Sequence, residues 1–428
     1  MADVVVTKSE HLEGEVSAPP SKAYTHRMLI AALLSKGTSK ILNPLVSHDT
    51  KATLRAVKAF GAEVRLPKNQ LTIKGVERPR GPKRPIDCGE SGATLRFMIP
   101  VAALAPEPST LKFGGSFEKR PVEPLLQSLK QLGTESDFQR REGSSFVRVH
   151  GGGIRGGKTS IRGNISSQFV SGLLFACPKA NDDIEIVVTT PLESRSYVQM
   201  TMEVLTKHGI RIFASSNLTK LKIPSNQNYN PCNHEVSGDF SSAAFLLAAA
   251  AITSSKVKVK NLDQHTIQGD RAILDILKET GSKVRAGDEF LEVKGGQLNA
   301  VDIDARDIPD LVPVCAVLAC YSKGTSKIYN AKRLRYKESD RLGSLHAELK
   351  KMGAEIKVHE DSLTIRGLRT MHGATIDPHN DHRIAMACAV AALGAVGKTE
   401  IRNSECVNKS YPKFFNDLRS LGANVVER

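Results

Sequence analysis

In six short stretches of this chain, apolar residues recur at three- and four-residue spacing. Each stretch ends on a glycine and runs into alternating apolar and polar positions. They read ATLRAVKAFGAEV, PLLQSLKQLGTES, TMEVLTKHGIRI, AILDILKETGSKV, LHAELKKMGAEI and FFNDLRSLGANV, with the glycines at Gly61, Gly133, Gly209, Gly281, Gly353 and Gly422. The spacing is that of a helix with one buried face. A glycine directly after such a helix supplies the left-handed residue that closes it. Successive glycines lie 72, 76, 72, 72 and 69 residues apart. A second strand follows at 71–75, 146–151, 221–224, 291–295 and 363–367, and the sixth copy lacks one. The apolar VVVT at 4–7 completes that copy in this reading, which makes the chain's ends neighbours in one domain. A mixed helix and strand period of this length argues against a thin solenoid. The expected organisation is two α/β domains of three units each: residues 1–19 with 236–428, and residues 20–235. The crossovers are expected near Pro20 and Val236.

In each unit a polar loop opens a helix. The six loops are SAPPSKAYTHR (17–27), DCGESGATLR (87–96), RGNISSQFVSG (162–172), VSGDFSSAAF (236–245), DARDIPDLVP (304–313) and DPHNDHRIAM (377–386). Helix starts present unpaired N–H groups and the positive end of the helix dipole, so they attract anions. Serine and aspartate there are also ordinary caps that need no ligand. Capping does not account for Lys22, Arg27, Arg96 and Arg383, because a cation is unfavourable at a helix start unless an anion offsets it. A second loop set holds GGSFEKRPVEP (114–124), PLESRSYVQ (191–199), NAKRLRYKESDR (330–341) and CVNKSYPK (406–413), again rich in Lys and Arg. Two such basic faces opposed across an interdomain cleft would suit a pair of small polyanions.

Bulk properties narrow the partners. The 428 residues carry a formal charge of +15, which favours anionic ligands. Aromatics are 5% and Trp is absent, with no basic–aromatic interleaving, so nucleic acid is not expected as a partner. Seven scattered cysteines without a CxxC pair argue against zinc and disulfide frameworks and fit a reducing, cytoplasmic setting. The N-terminus has no apolar signal core, and the apolar runs at 245–252 and 384–396 are too short to span a bilayer. No membrane partner is expected.

The segments PPSKAYTHR, GESGATLR, KRPVEPL, ISSQFVSG, DIPD, YKESDRL, DHRIAMA and NKSYPKF, in this order and over essentially the whole chain, resemble the 3-phosphoshikimate 1-carboxyvinyltransferase family. ESDRL and DHR together are specific, whereas a lone SSQ or DHR is weak. The resemblance implies a two-domain inside-out α/β barrel, each domain built of three βαβαββ repeats, with the site in the interdomain cleft. It implies transfer of an enolpyruvyl group from phosphoenolpyruvate to the 5-hydroxyl of shikimate 3-phosphate, by a monomer, without metal or other cofactor. Fixed Arg and Lys residues can neutralise the phosphate and carboxylates in place of a metal.

By the same resemblance, phosphoenolpyruvate would meet Lys22, Gly92, Arg120, Gln168, Arg341, Arg383 and Lys409. Shikimate 3-phosphate would meet Lys22, Arg27, Ser166, Ser167, Gln168, Ser194, Asp310 and Lys337. Arginine pairs with carboxylate or phosphate through two hydrogen bonds, and glycine lets the backbone come close. Asp310 is the expected base for the hydroxyl, although an aspartate among cations is ordinarily a weak one. Lys22 and Glu338 are candidates for the proton at C3, with a structural ion pair as the alternative for Glu338, which lies between Lys337 and Arg341. Two positions depart from the family pattern: Ala23, where a second serine is common, and Ala93, where threonine is frequent. The nearest rival is the related transferase acting on UDP-N-acetylglucosamine. It has a cysteine five residues before the Arg of its RPV motif, where this chain has Gly115.

Overall fold

A computed structural model describes residues 3–141, 145–367 and 370–428. The chain divides into two compact units, one continuous (Ser21–Val236) and one split (Met1–Pro20 with Ser237–Arg428). The crossings fall one residue later than the sequence suggests. The cause is local pairing: Pro20 bridges Gly238, and the Val236 N–H donates to the Leu42 carbonyl at 3.0 Å.

The continuous unit holds α1 (Lys22–Leu33), α2 (His48–Ala59), α3 (Gly92–Ala103), α4 (Glu123–Gln131), α5 (Ser167–Ala176) and α6 (Arg195–Lys207). The split unit holds α7 (Phe240–Ile252), α8 (Ile273–Glu279), α9 (Val312–Tyr321), α10 (Arg341–Lys351), α11 (His382–Gly394) and α12 (Phe414–Ser420). Odd and even helices differ in kind. Each odd helix leaves at most two residues outside the core. A helix apolar on every side must be surrounded by protein, and these are: α3 packs on α1 and α5, and α7, α9 and α11 pack on one another. The even helices bury one stripe, as α4 does with Leu125, Leu126, Ser128 and Leu129. Around these helices lie six four-stranded sheets among the described residues. This is the inside-out arrangement, with helices in the middle and sheets outside.

The sheets repeat one pattern. Ile86–Asp87 pairs in parallel with Ser109–Phe113 across α3, and Ser145–Val149 and Ser136–Gln139 then add antiparallel strands. The helix supplies the crossover that a parallel pair needs. At each crossing the chain leaves a strand in one unit and enters a helix of the other. Glu13–Ser17, which leads into α1, pairs with Lys256–Lys260 after α7, whereas His234–Glu235, which leads into α7, pairs with Gly37–Leu42 after α1. In the last sheet Val4–Thr7 lies between Lys398–Ile401 and Val425–Glu427, antiparallel to both. All six cap glycines take the left-handed conformation, with φ between +81° and +109°.

Candidate active site

The odd-numbered helices begin where the charged loops end. Five of the six starts are capped by a side chain: Ser21, Ser91, Ser166, Asp239 and Asp381 each accept from a backbone N–H of the first turn. The sixth, Leu311 before α9, offers none. Capping therefore explains the Ser and Asp of these loops, and the cations need a separate account.

In the continuous unit, Lys22 opens α1 and its Nζ lies 3.0 Å from Asp49 Oδ2, in the first turn of α2. Arg27, one turn further into α1, is 2% exposed. Its guanidinium donates to Thr201 Oγ1 (2.8 Å) and to the carbonyls of Ala23 (2.9 Å) and Tyr197 (2.8 Å), and lies over the Phe97 ring. Burial lowers its pKa to about 10, which still leaves it charged at neutral pH. Arg96 on α3 donates to Ser166 Oγ (3.2 Å) and Gln168 Oε1 (2.9 Å), so it ties the start of α5 to α3. Ser167, next in line, is 6% exposed. Ser194, which precedes α6, is buried and holds φ 54° and ψ 48°, a left-handed conformation that costs a non-glycine residue energy.

Gly92 and Arg120 meet directly. A Cβ on Gly92 would stand 2.7 Å from the Phe117 ring and 3.3 Å from both terminal nitrogens of Arg120. The Arg120 guanidinium lies over Phe117, 4.8 Å from its centroid. Any side chain at position 92 must therefore displace the guanidinium or the ring beneath it. This is a geometric reason for glycine here.

In the split unit the charges are denser. Arg341 begins α10 and is 1% exposed, with its donors spent on three carboxylates. Nη1 reaches Asp310 at 2.7 Å, Nη2 reaches Glu338 at 2.6 Å and Nε reaches Asp381 at 2.9 Å. Around Asp310 stand Arg341, Arg383 Nη2 at 3.5 Å and Lys337 Nζ at 3.6 Å. Burial works to raise the Asp310 pKa, but Arg383, Lys337 and Arg341 together hold it well below the usual carboxylate range. Burial pushes Lys337 down to about 8, with Asp310 acting in the opposite sense. Lys409 Nζ donates to the Asn380 carbonyl at 2.8 Å. His379 and Asn380, just before the Asp381 cap, both have positive φ. Glu348 on α10 holds that loop by accepting from the Asp377 N–H (3.0 Å) and lying 3.0 Å from His379 Nε2.

The residues expected from sequence divide between the two units. Lys22, Arg27, Gly92, Arg120, Ser166, Ser167, Gln168 and Ser194 belong to the continuous unit; Asp310, Lys337, Glu338, Arg341, Arg383 and Lys409 belong to the split one. Glu338 sits in an ion pair with Arg341, the alternative weighed for it above. Sequence reasoning missed Asp49, Asp381 and Asp270. Asp270 is buried against Ser241 Oγ, and its pKa is pushed up to about 6 by burial and Asp310, with Arg383 opposing. Asp381 adjoins the DHR motif, yet no spacing indicates that it meets Arg341 forty positions earlier. Among the described residues, no group of three or more His, Cys, Asp or Glu could hold a metal ion, and no helix is long and apolar enough to cross a membrane.

Fold and site together define an α/β repeat protein whose odd-numbered helices begin in loops that gather Lys, Arg, Ser and Asp side chains. The profile of the EPSP synthase (3-phosphoshikimate 1-carboxyvinyltransferase) family matches residues 6–418. A protein named 3-phosphoshikimate 1-carboxyvinyltransferase from Methanocella arvoryzae is 46% identical over 424 residues, covering 98% of this chain and 99% of its own. Its namesake from Methanocaldococcus jannaschii is 40% identical over 426 residues, covering 99% of each. The fold resembles a solved EPSP synthase from Acinetobacter baumannii, with a TM-score of 0.84 and 24% identity across all of both chains. The chain belongs to the EPSP synthase family, a family of transferases. This does not favour the reading as a UDP-N-acetylglucosamine transferase.

Proposed function

We propose that this chain transfers the enolpyruvyl group of phosphoenolpyruvate to the 5-hydroxyl of shikimate 3-phosphate, releasing phosphate, as a step of aromatic biosynthesis. Family membership over the full chain supports the reaction. The observation that carries the assignment of roles is Asp310 with Lys337, Arg341 and Arg383 between 2.7 and 3.6 Å from it.

The chemistry is addition followed by elimination. The hydroxyl oxygen bonds to C2 of phosphoenolpyruvate while Asp310 takes its proton and C3 gains one. Loss of phosphate and of a C3 proton then restores the double bond. Asp310 stays ionised at neutral pH, which suits a proton acceptor, and its low pKa means that placement rather than basicity carries the step. Lys22 and Glu338 remain the candidates for the proton at C3. Lys22, Gly92, Arg120, Gln168, Arg341, Arg383 and Lys409 are assigned to phosphoenolpyruvate; Lys22, Arg27, Ser166, Ser167, Gln168, Ser194, Asp310 and Lys337 to shikimate 3-phosphate. Arg341 also meets Asp310, Glu338 and Asp381, so in this proposal it orients Asp310 and Glu338 as well.

The direct test is turnover with each acceptor. Phosphate release is expected with phosphoenolpyruvate plus shikimate 3-phosphate and none with UDP-N-acetylglucosamine; the reverse result would overturn the reading. Arg120→Ala should raise the KM for phosphoenolpyruvate at least tenfold, since a charge-assisted bidentate contact is worth more than about 1.4 kcal/mol. Binding of shikimate 3-phosphate alone, followed by calorimetry, should stay nearly intact. Equal loss for both ligands would contradict the assignment.

A pH prediction follows from Lys337. Its cationic form is what a phosphate needs, and its pKa is near 8. The value of kcat/KM for shikimate 3-phosphate should therefore fall as pH rises through about 8. Lys337→Arg should move that limb upward, because guanidinium stays charged. For stability the sign is opposite. A lysine whose folded pKa lies below its unfolded value costs stability below pH 8, and the cost is relieved between about 8 and 10.4.

A further inference from the structure

Three buried hydroxyls and one buried imidazole join the first two turns of α1, α2 and α3. Ser91 Oγ, the cap of α3, lies 2.7 Å from Thr94 Oγ1; Thr94 Oγ1 lies 2.7 Å from Thr53 Oγ1 on α2; and Thr53 Oγ1 lies 2.6 Å from His26 Nδ1 on α1. Relative exposures are 3% for Ser91, 0% for both threonines and 1% for His26. The Thr94 N–H also donates to Ser91 Oγ at 3.3 Å, and the Thr94 hydroxyl faces the Asp49 carbonyl at 3.4 Å. None of these four residues belongs to the substrate sets above.

The relay ends beside groups that do. His26 follows Lys22 by one helical turn, so both lie on one side of α1. Asp49, the ion-pair partner of Lys22, lies one turn before Thr53 on α2. Gly92 follows Ser91 directly and is packed against Arg120. Polar groups this deeply buried are kept only if they are paired with one another. Slippage of one helix start against the next would break a buried bond and leave its partners unsatisfied. Burial together with Lys22 and Arg27 holds His26 neutral. Its Nε2 is buried without a partner. An orphaned ring lone pair costs less than an orphaned N–H, which assigns the proton to Nδ1. His26 then donates to Thr53 and Thr53 to Thr94, whose one hydroxyl proton is shared between Ser91 Oγ and the Asp49 carbonyl.

We infer that the His26–Thr53–Thr94–Ser91 relay is a positioning device that fixes the starts of α1, α2 and α3 and thereby sets Lys22 and Gly92 in place for phosphoenolpyruvate. The inference rests on the assignment of Lys22 and Gly92 proposed above.

The test uses the full chain. Thr53→Val keeps the shape of the side chain and cuts the relay in the middle. It should lower kcat/KM for phosphoenolpyruvate roughly tenfold or more, because small displacements of reacting groups are costly in rate. Binding of shikimate 3-phosphate should change less than about threefold, and Thr53→Ser should restore activity to within about twofold. Amide hydrogen exchange should quicken at 22–27 and 91–96 relative to the rest of that unit. Normal kinetics together with unchanged exchange in Thr53→Val would overturn the inference. So would a Thr53→Ser variant as impaired as Thr53→Val, since that result makes the effect one of packing. Thr94→Val reads the same relay should Thr53→Val fail to accumulate. Wild-type turnover in the same assay tests the reaction itself, and the exchange measurement stands whatever that turnover shows.

Discussion

Replacing Asp310 by asparagine should lower kcat by roughly 10²–10⁴-fold, the usual contribution of a positioned general base. The substitution preserves shape and removes one negative charge from among Lys337, Arg341 and Arg383. The three cations then face any incoming anion with less internal compensation. Affinity for shikimate 3-phosphate should therefore hold or tighten while turnover collapses. That split separates a base from a binding residue, because a residue that only binds would lose affinity and keep its kcat. Steady-state rates and direct titration of the ligand provide the two numbers. A kcat within about fivefold of wild type would remove Asp310 from the base role.

The largest effect on stability is expected at Arg341. Breaking a buried ion pair from one side typically costs about 3–5 kcal/mol, because the remaining charges lose compensation without regaining water. Arg341→Ala leaves Asp310, Glu338 and the fully buried Asp381 in that condition at once. Urea denaturation should show a loss of unfolding free energy of that size, read as a lowered midpoint at unchanged slope. Arg341→Lys keeps a charge but loses the fork that reaches three partners, so it should fall between wild type and alanine. The deficit should depend on pH. Asp310 has a depressed folded pKa, so its stabilising contribution is present above the unfolded value near 3.9 and is lost as pH falls further. The gap between Arg341→Ala and wild type should narrow as the pH is taken below about 4. A gap that widens on acidification would show that the cluster is held by something other than these charges.

The fold was legible because its signals are local. A helix with one wet face writes a three-four pattern, its end asks for a left-handed residue, and Gly61 through Gly422 meet that demand within a residue or two of where the helices stop. The odd helices were less legible. α7 is apolar on nearly every side, so its length and its cap, not its periodicity, mark it as a helix. In the site, residues within recognisable segments could be named, but their partners could not. The resemblance names Arg341 as a phosphoenolpyruvate ligand, but it does not name the carboxylates beside it. Its carboxylates come from positions 310, 338 and 381, and only the fold brings them together. Likewise no local pattern ties His26 to Thr53 and Thr94, which lie on three different helices. A lone buried histidine in a sequence says nothing about which hydroxyl it will meet.

The split of one unit across the chain sets an order of events during synthesis. Val4–Thr7 finds its neighbours only at 398–401 and 425–427, and Glu13–Ser17 pairs at 256–260. At roughly 5–20 residues per second, a ribosome takes roughly 20 to 85 s to travel from the first of these strands to the last. Residues 21–236 emerge meanwhile as one uninterrupted stretch, with every strand of their three sheets in hand. Val4, Val5 and Val6 have no ladder to join until 398–401 is made, whereas Val16 can pair once 256–260 has emerged. The strand at 4–7 thus stays unpaired and β-prone long after residues 21–236 have every partner they need, until the strands at 398–401 and 425–427 close over it.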